Sequence, residues 1–335
     1  MRSPVLLALL GLFLCIAPGF AQDLHNSQFY LNPLHMTPAA TGAFEGDWRV
    51  AGVYRSQWRT VPVDYRTYAL SADWKALQRG KSQLSIGLLL QNDQAGDANL
   101  SWTQGGLSFS AAHTLGKSSA VSAGFGIAAA QRRVDISQLK FKNQWAIDYF
   151  DPNLPSKETF GRSSGLSPTL SAGINWYFKP AGSRSRANMG FGAFHLNRPV
   201  VSLGEGDQKK LPIRAAFYSE GIYQFRALTD LVGFAAAQSM QSAREIVLGG
   251  GIRQILSEGL NNSSAIRFSL ATRLGDAIIP AIQFERNNWL VGISYDWNTG
   301  AFNEATQGRG GIEIAAVWRS LSVPVVKTVK CCPVF

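Results

Sequence analysis

Residue types that run covalent or metal chemistry are sparse in this chain. Its histidines are His25, His35, His113 and His195. None stands at metal-ligand spacing from a cysteine or carboxylate. A hydrolase would need one of them beside a serine, with a third polar group orienting the ring. His113 and His195 fall near the ends of extended segments and serines are plentiful, but no pattern joins them into a triad. Asp148, Asp151 and Glu158 share one stretch. They lack the regular spacing of a calcium loop and read as solvated surface. Gly249-Gly250-Gly251 lies inside an alternating segment, where glycine serves close packing or a bend better than phosphate binding. Cys331 and Cys332 are adjacent, so a disulfide between them would be strained; an intermolecular link and no role at all both stay open. The expectation is no catalytic residue, no metal and no cofactor: not an enzyme.

Arginine at alternate positions does recur. In Ile266 to Leu274, Arg267, Ser269 and Arg273 oppose Ile266, Phe268 and Leu270. Arg214, Glu220, Gln224 and Arg226 oppose Ile213, Phe217, Tyr223 and Phe225. Arg49, Arg55 and Gln57 oppose Trp48, Val50, Tyr54 and Trp58, and Glu313 and Arg319 oppose Ile312, Ile314, Ala316 and Trp318. Successive strand side chains point to opposite faces. In Trp289 to Asn298 the odd positions form an apolar band with Trp at both ends, and the even positions include Gly292, Ser294, Asp296 and Asn298. Aromatic girdles of that kind sit at membrane interfaces. An arginine facing hydrocarbon at the midplane costs roughly 2–4 kcal/mol, so the arginine face reads as a wet lumen; one side of a soluble β-sandwich would show the same alternation, and the girdle-like Trp and Tyr placement favours lipid. Arg49, Arg55, Gln57, Arg214, Glu220, Arg267 and Arg273 are therefore expected to line it. They would form an interior salt-bridge mesh or bind an acidic segment of a client.

The elements that position these residues are short strands. Further candidates lie near 65–75, 82–91, 99–115, 118–131, 165–178, 187–196, 229–240, 245–256 and 277–285, about fourteen in all. The 335 residues are 46% hydrophobic but only 16% charged, with 33 Gly and 9 Trp. A soluble domain carries nearer a quarter charged residues. Lipid leaves backbone polar groups without partners, so a membrane chain without apolar helices must close into a barrel. The expected fold is all-β: an antiparallel transmembrane β-barrel of the outer-membrane type. The longest connections, about 132–164, 197–211 and 299–309, all follow odd-numbered strands, as extracellular loops would.

Met1 to Ala21 reads as a signal peptide, with Arg2 as the charged end, Val5 to Ile16 as the apolar stretch and Gly19-Phe20-Ala21 as the cleavage site. Cys15 follows Leu14, where a lipoprotein needs a small residue, so it belongs to the apolar stretch. The domains are then 1–21, an N-terminal segment 22–46, a barrel 47–319 and a tail 320–335. Export argues against a nucleic-acid partner despite the net charge of +10.

Ser27-Gln28-Phe29-Tyr30-Leu31-Asn32-Pro33-Leu34, Thr37-Pro38-Ala39-Ala40-Thr41-Gly42, Tyr54-Arg55-Ser56-Gln57-Trp58 and the ending Cys332-Pro333-Val334-Phe335 resemble signatures of the PorP/SprF family. Val334 departs from the basic residue common there. The resemblance implies an outer-membrane barrel of Bacteroidota that serves type IX secretion or gliding motility. Its implied partners are outer-membrane lipid, type IX secretion components and a large secreted surface protein or adhesin. Asn32, Pro33, Pro38, Ala39, Gly42 and Phe335 become candidate partner-binding residues. Proline restricts the residue before it, so the N-terminal segment would lie along the barrel mouth, dock on a periplasmic partner or simply cap the first strand. Both termini would face the periplasm. An anion-preferring diffusion channel is the alternative function.

Overall fold

The computed structural model describes residues 25–57, 65–96, 98–146, 149–157, 164–201, 209–259, 262–300 and 303–320. Fourteen strands follow in chain order: β1 Trp48–Gln57, β2 Tyr65–Arg79, β3 Ser82–Ala95, β4 Leu100–Leu115, β5 Ser119–Arg133, β6 Ser164–Phe178, β7 Arg186–Phe194, β8 Arg214–Gln224, β9 Thr229–Met240, β10 Ala243–Ser257, β11 Ser264–Arg273, β12 Ala277–Arg286, β13 Trp289–Asn298 and β14 Arg309–Arg319. Each pairs antiparallel with its sequence neighbours, and β1 also pairs with β14, with Tyr54 opposite Ile314. The sheet is a closed barrel and leaves no edge. At the seam, the Ser320 hydroxyl accepts the N–H groups of Asp47 (3.0 Å) and Trp48 (2.8 Å).

The alternation read from the sequence sorts the two faces. Phe217, Leu270, Ile293 and Trp297 are exposed outside, while Tyr218, Ser269, Ser294 and Asp296 are buried inside. No helix among the described residues is long and apolar enough to cross a membrane. The long connections after β5, β7 and β13 gather at one end, here called the loop end; β1 begins and β14 finishes at the other, the turn end. Several strands outrun their expected limits. β2 continues to Arg79 because Gln78 and Arg79 still pair with Gln83 and Ser82 around the Gly80–Lys81 turn. Polar residues stop the apolar alternation there, but the hydrogen-bond ladder continues into water.

The segment before β1 is the main departure from expectation. It neither lies along the mouth nor caps the strand. Every residue from Asn26 to Gly42 is buried, inside the barrel. Three short 3-10 turns fold it, Phe29–Leu31, Pro33–His35 and Pro38–Ala40. Pro33 and Pro38 open the second and third turns, where a fixed φ fits and no N–H is needed. The Thr37 hydroxyl accepts the Ala39 N–H at 3.3 Å. The wall is stripped of side chains where this plug passes: a Cβ on Gly124 would stand 2.5 Å from Ala39 Cα, and one on Gly192 would collide with the Met36 carbonyl.

Candidate functional site

The lumen and its plug form the candidate site. The inward strand positions carry arginines and carboxylates at matched heights, and the plug supplies what the wall pairs leave over. At the loop end, Arg55 and Arg273 converge on Asp296 at 2.6 and 2.8 Å. The Ser27 hydroxyl sits between them, accepting from Arg55 (3.1 Å) and Arg273 (2.8 Å) and donating to Asp296 (2.7 Å). Glu313 on β14 accepts the successive backbone N–H groups of Ser27 and Gln28, each at 2.7 Å. One wall carboxylate thus satisfies two plug donors that would otherwise be stranded in the interior.

The middle of the lumen is apolar. Tyr30 packs on Phe234 with ring centroids 4.6 Å apart, and Phe29 meets both rings edge-on. A Cβ at Gly249 would strike the Phe234 ring, so this part of the Gly249-Gly250-Gly251 run serves packing. Further along, Arg214 donates to the His35 ring at 3.1 Å and to the His35 carbonyl at 3.1 Å, and stacks over Phe194. The Asn32 side-chain amide oxygen Oδ1 accepts from the Ser71 hydroxyl, and Thr37 donates to the Phe191 carbonyl. Near the turn end, Arg49 forms a two-pronged pair with Asp73 (2.9 Å for each prong) and also donates to the Ala40 carbonyl. Asp73 in turn accepts the Gly42 N–H at 2.7 Å. Glu45 pairs with Lys179 at 2.7 Å where the plug leaves the lumen.

The charges of the plug follow from this enclosure. Burial, then the positive fields of Arg55 and Arg273, holds the His25 imidazole well below its ordinary value. That direction favours the neutral imidazole, and its 3.7 Å approach to Glu245 is too long for a hydrogen bond. Burial pushes the Tyr30 phenol up. For Glu45 burial acts upward, but the Lys179 hydrogen bond and Arg186 outweigh it and hold the carboxyl below the usual range.

The expected lumen set is brought together. Arg49, Arg55, Arg214, Glu220, Arg267 and Arg273 all engage plug or wall partners inside, with Arg267 on Glu220 at 2.8 Å. Gln57 ends β1 half-buried. The expected partner-binding set is placed differently: Asn32, Pro33, Pro38, Ala39 and Gly42 are buried in the lumen and form no outer surface. The placement of the segment is corrected as well. His25 lies in the loop-end half, its carbonyl accepting from Arg55 at 3.2 Å, so the chain runs through the lumen from there to the turn end. Phe335, Trp58, Asp148 and Glu158 lie outside the described residues. Asp151 accepts from Asn153 within its own turn, and no metal-competent group of three His, Cys, Asp or Glu occurs among the described residues. His195 is buried against Thr169 (2.8 Å). His113 meets Ser82 at 3.2 Å on the exposed outer face.

Sequence reasoning did not single out Asp73, Glu245, Asp230, Glu285 or Arg253. Arg253 bridges Asp230 (2.7 Å) and Glu285 (2.7 Å) near the turn end. Their shared signal is a charged residue at an inward strand position, which the alternation identifies.

Among solved structures, the Ralstonia pickettii toluene transporter TbuX is similar at 10% identity and TM-score 0.48, over 86% of this chain and 93% of that one. A Pseudomonas aeruginosa FadL homologue gives 10% identity and TM-score 0.44, over 84% and 92%. The translocator domain of the autotransporter NalP from Neisseria meningitidis gives 10% and 0.35, over 88% and 100%. Among curated proteins none matches the sequence. Residues 19–315 match the type IX secretion system membrane protein PorP/SprF, and with its closed fourteen-stranded wall the chain belongs to that family of outer-membrane barrels.

Proposed function

We propose that this barrel is a non-enzymatic scaffold of the type IX secretion or gliding apparatus. It binds periplasmic partners at its turn end and assists export or surface retention of a large secreted client. The observation that carries this reading is the plugged lumen, in which Asn26–Gly42 are buried and clamped to the wall by Glu313, Asp296 and Asp73. A solute pathway needs an open lumen, and most of the inward arginines that would favour anions are engaged by wall or plug partners. Affinity capture from native membranes in mild detergent should recover secretion components or a large co-exported surface protein, and the purified barrel should be silent in a planar bilayer. Recovery of neither partner class counts against the scaffold, and a steady anion-selective current restores the channel.

A further inference from the structure

Beneath the plug, the lumen keeps a polar vestibule, a cavity of about 60 Å³ near the turn end. Tyr30, Leu31 and Pro33 of the plug line it together with Arg186, Arg267 and Arg319 of the wall. Its carboxylates are largely spoken for. Glu285 is held in a two-pronged pair by Arg253 at 2.9 and 2.7 Å. Glu45 pairs with Lys179 at 2.7 Å and lies 4.0 Å from Arg186. Glu220 takes one prong of Arg267. Guanidinium capacity is left over. Arg267 is 2% exposed, and its Nε and Nη2 have no hydrogen-bond partner. The Arg319 side chain makes no hydrogen bond or ion pair among the described residues. An unpaired buried donor is costly, and a guanidinium fork matches a planar carboxylate.

We infer that this vestibule is a carboxylate-binding site for an acidic peptide segment that enters from the turn end, held by Arg186, Arg267 and Arg319. The inference deepens the scaffold reading, which it needs only for the partner's location. A carboxylate suits the site better than phosphate because Glu45, Glu220 and Glu285 stand in the same wall and repel a dianion. The small cavity admits one such group. A peptide suits it better than a free acid because the surrounding rim exposes Arg79, Lys81, Lys117, Arg226 and Arg286, a positive field that draws in an extended acidic chain.

The test uses the full barrel in nonionic detergent and a fluorescent octaglutamate peptide read by anisotropy. Saturable one-to-one binding is expected, with no binding of octalysine. The double variant Arg186→Gln/Arg319→Gln should weaken it at least tenfold, and the rim variant Lys81→Gln/Lys117→Gln less than threefold. Glutarate should displace the peptide where inorganic phosphate at the same concentration does not. Heat-modifiable gel migration checks that each variant is a folded barrel, and Arg267→Lys, which keeps the charge but loses the fork, should weaken binding without unfolding. Absence of saturable binding, equal affinity in the vestibule variant, dominance of the rim variant, or displacement by phosphate or by anionic phospholipid vesicles overturns the site. If octaglutamate binds as described while affinity capture recovers no secretion partner, the site stands and the type IX scaffold reading falls.

Discussion

Replacing Glu313 with Gln tests the plug at its tightest clamp. Glu313 gives one oxygen to Ser27 N–H and the other to Gln28 N–H, both at 2.7 Å, while Arg55 Nη1 lies 3.5 Å away. Glutamine keeps the shape and one acceptor but turns an amide N–H₂ against the second plug N–H. One charge-assisted bond is lost and one buried donor is stranded, which costs about 2–4 kcal/mol. Arg55 is not orphaned, because Asp296 still holds it at 2.6 Å, so the larger loss expected from breaking a buried pair does not apply. At 1.4 kcal/mol per tenfold, local opening of the plug around Ser27 should rise roughly 30- to 700-fold. Hydrogen exchange of the peptide 25–31 reads this directly, and brief current steps in a planar bilayer read its consequence. Glu285→Gln is the control, since Glu285 pairs with the wall residue Arg253 and should leave exchange at 25–31 unchanged. If Glu313→Gln alters exchange there by less than threefold, the clamp does not hold the plug.

Other perturbations probe other parts of the same wall. Gly124→Val puts side-chain atoms into the Ala39 backbone and should destabilise the docked plug by about 1–3 kcal/mol, seen as faster exchange over 36–43 in a barrel that still migrates as folded. Asp73→Asn breaks the enclosed pair with Arg49 and weakens the acceptor of the Gly42 N–H; a loss of about 3–5 kcal/mol should appear as a lower unfolding temperature. Leu270→Arg places a cation on the outer face of β11 and should cost roughly 2–4 kcal/mol in a refolding titration into lipid vesicles, whereas Leu270→Phe should be near neutral. The Glu45–Lys179 contact should depend on pH. Its carboxyl is held below the ordinary value of 4.5 in the folded chain, so the unfolded chain binds the proton first as pH drops. The contribution is present above the unfolded value and disappears as pH falls through the folded one. Exchange over 43–47 should therefore quicken between pH 5 and pH 3 in the parent but not in Glu45→Gln.

The wall was legible because its apolar and polar residues keep one shared period of two. All fourteen strand candidates correspond to barrel strands, since lipid on one side and a polar interior on the other force a period of two wherever the chain crosses the hydrocarbon. Where that constraint ends, so did the reading: β3 runs to Ala95 and β2 to Arg79 on residues with no apolar alternation. Arginine placement was readable for the same reason, because Arg267 or Arg214 facing outward would be heavily penalised. Their partners were less visible. Asp73 lies 24 residues from Arg49, Asp296 lies 241 residues from Arg55 and Glu220 lies 47 residues from Arg267. Arg49 and Asp73 meet across the β1–β2 ladder, whereas Arg55 and Asp296 meet because the barrel closes β1 onto β14; periodicity alone gives neither register.

The plug escaped for a different physical reason. Asn26–Gly42 has no alternation, because 3-10 turns opened by proline bury all sides at once inside a cylinder. A polar inner wall is equally compatible with water and with protein, so arginine and glutamate on the lumen face do not separate an open pore from a filled one. Glycine does separate them. Gly292 on the polar face of β13 admits the Gln28 side chain, Gly87 admits Leu34 and Thr41, and Gly190 admits Thr37. Water needs no such clearance, since a lumen filled by solvent gains nothing from removing a side chain and loses strand propensity wherever glycine stands. Inward glycines spread over many strands of a barrel are therefore the mark of a second layer of backbone lying against the wall. In this chain that layer comes from the Asn- and Pro-rich segment just before the first strand, whose own backbone donors then require the inward carboxylates Glu313 and Asp73.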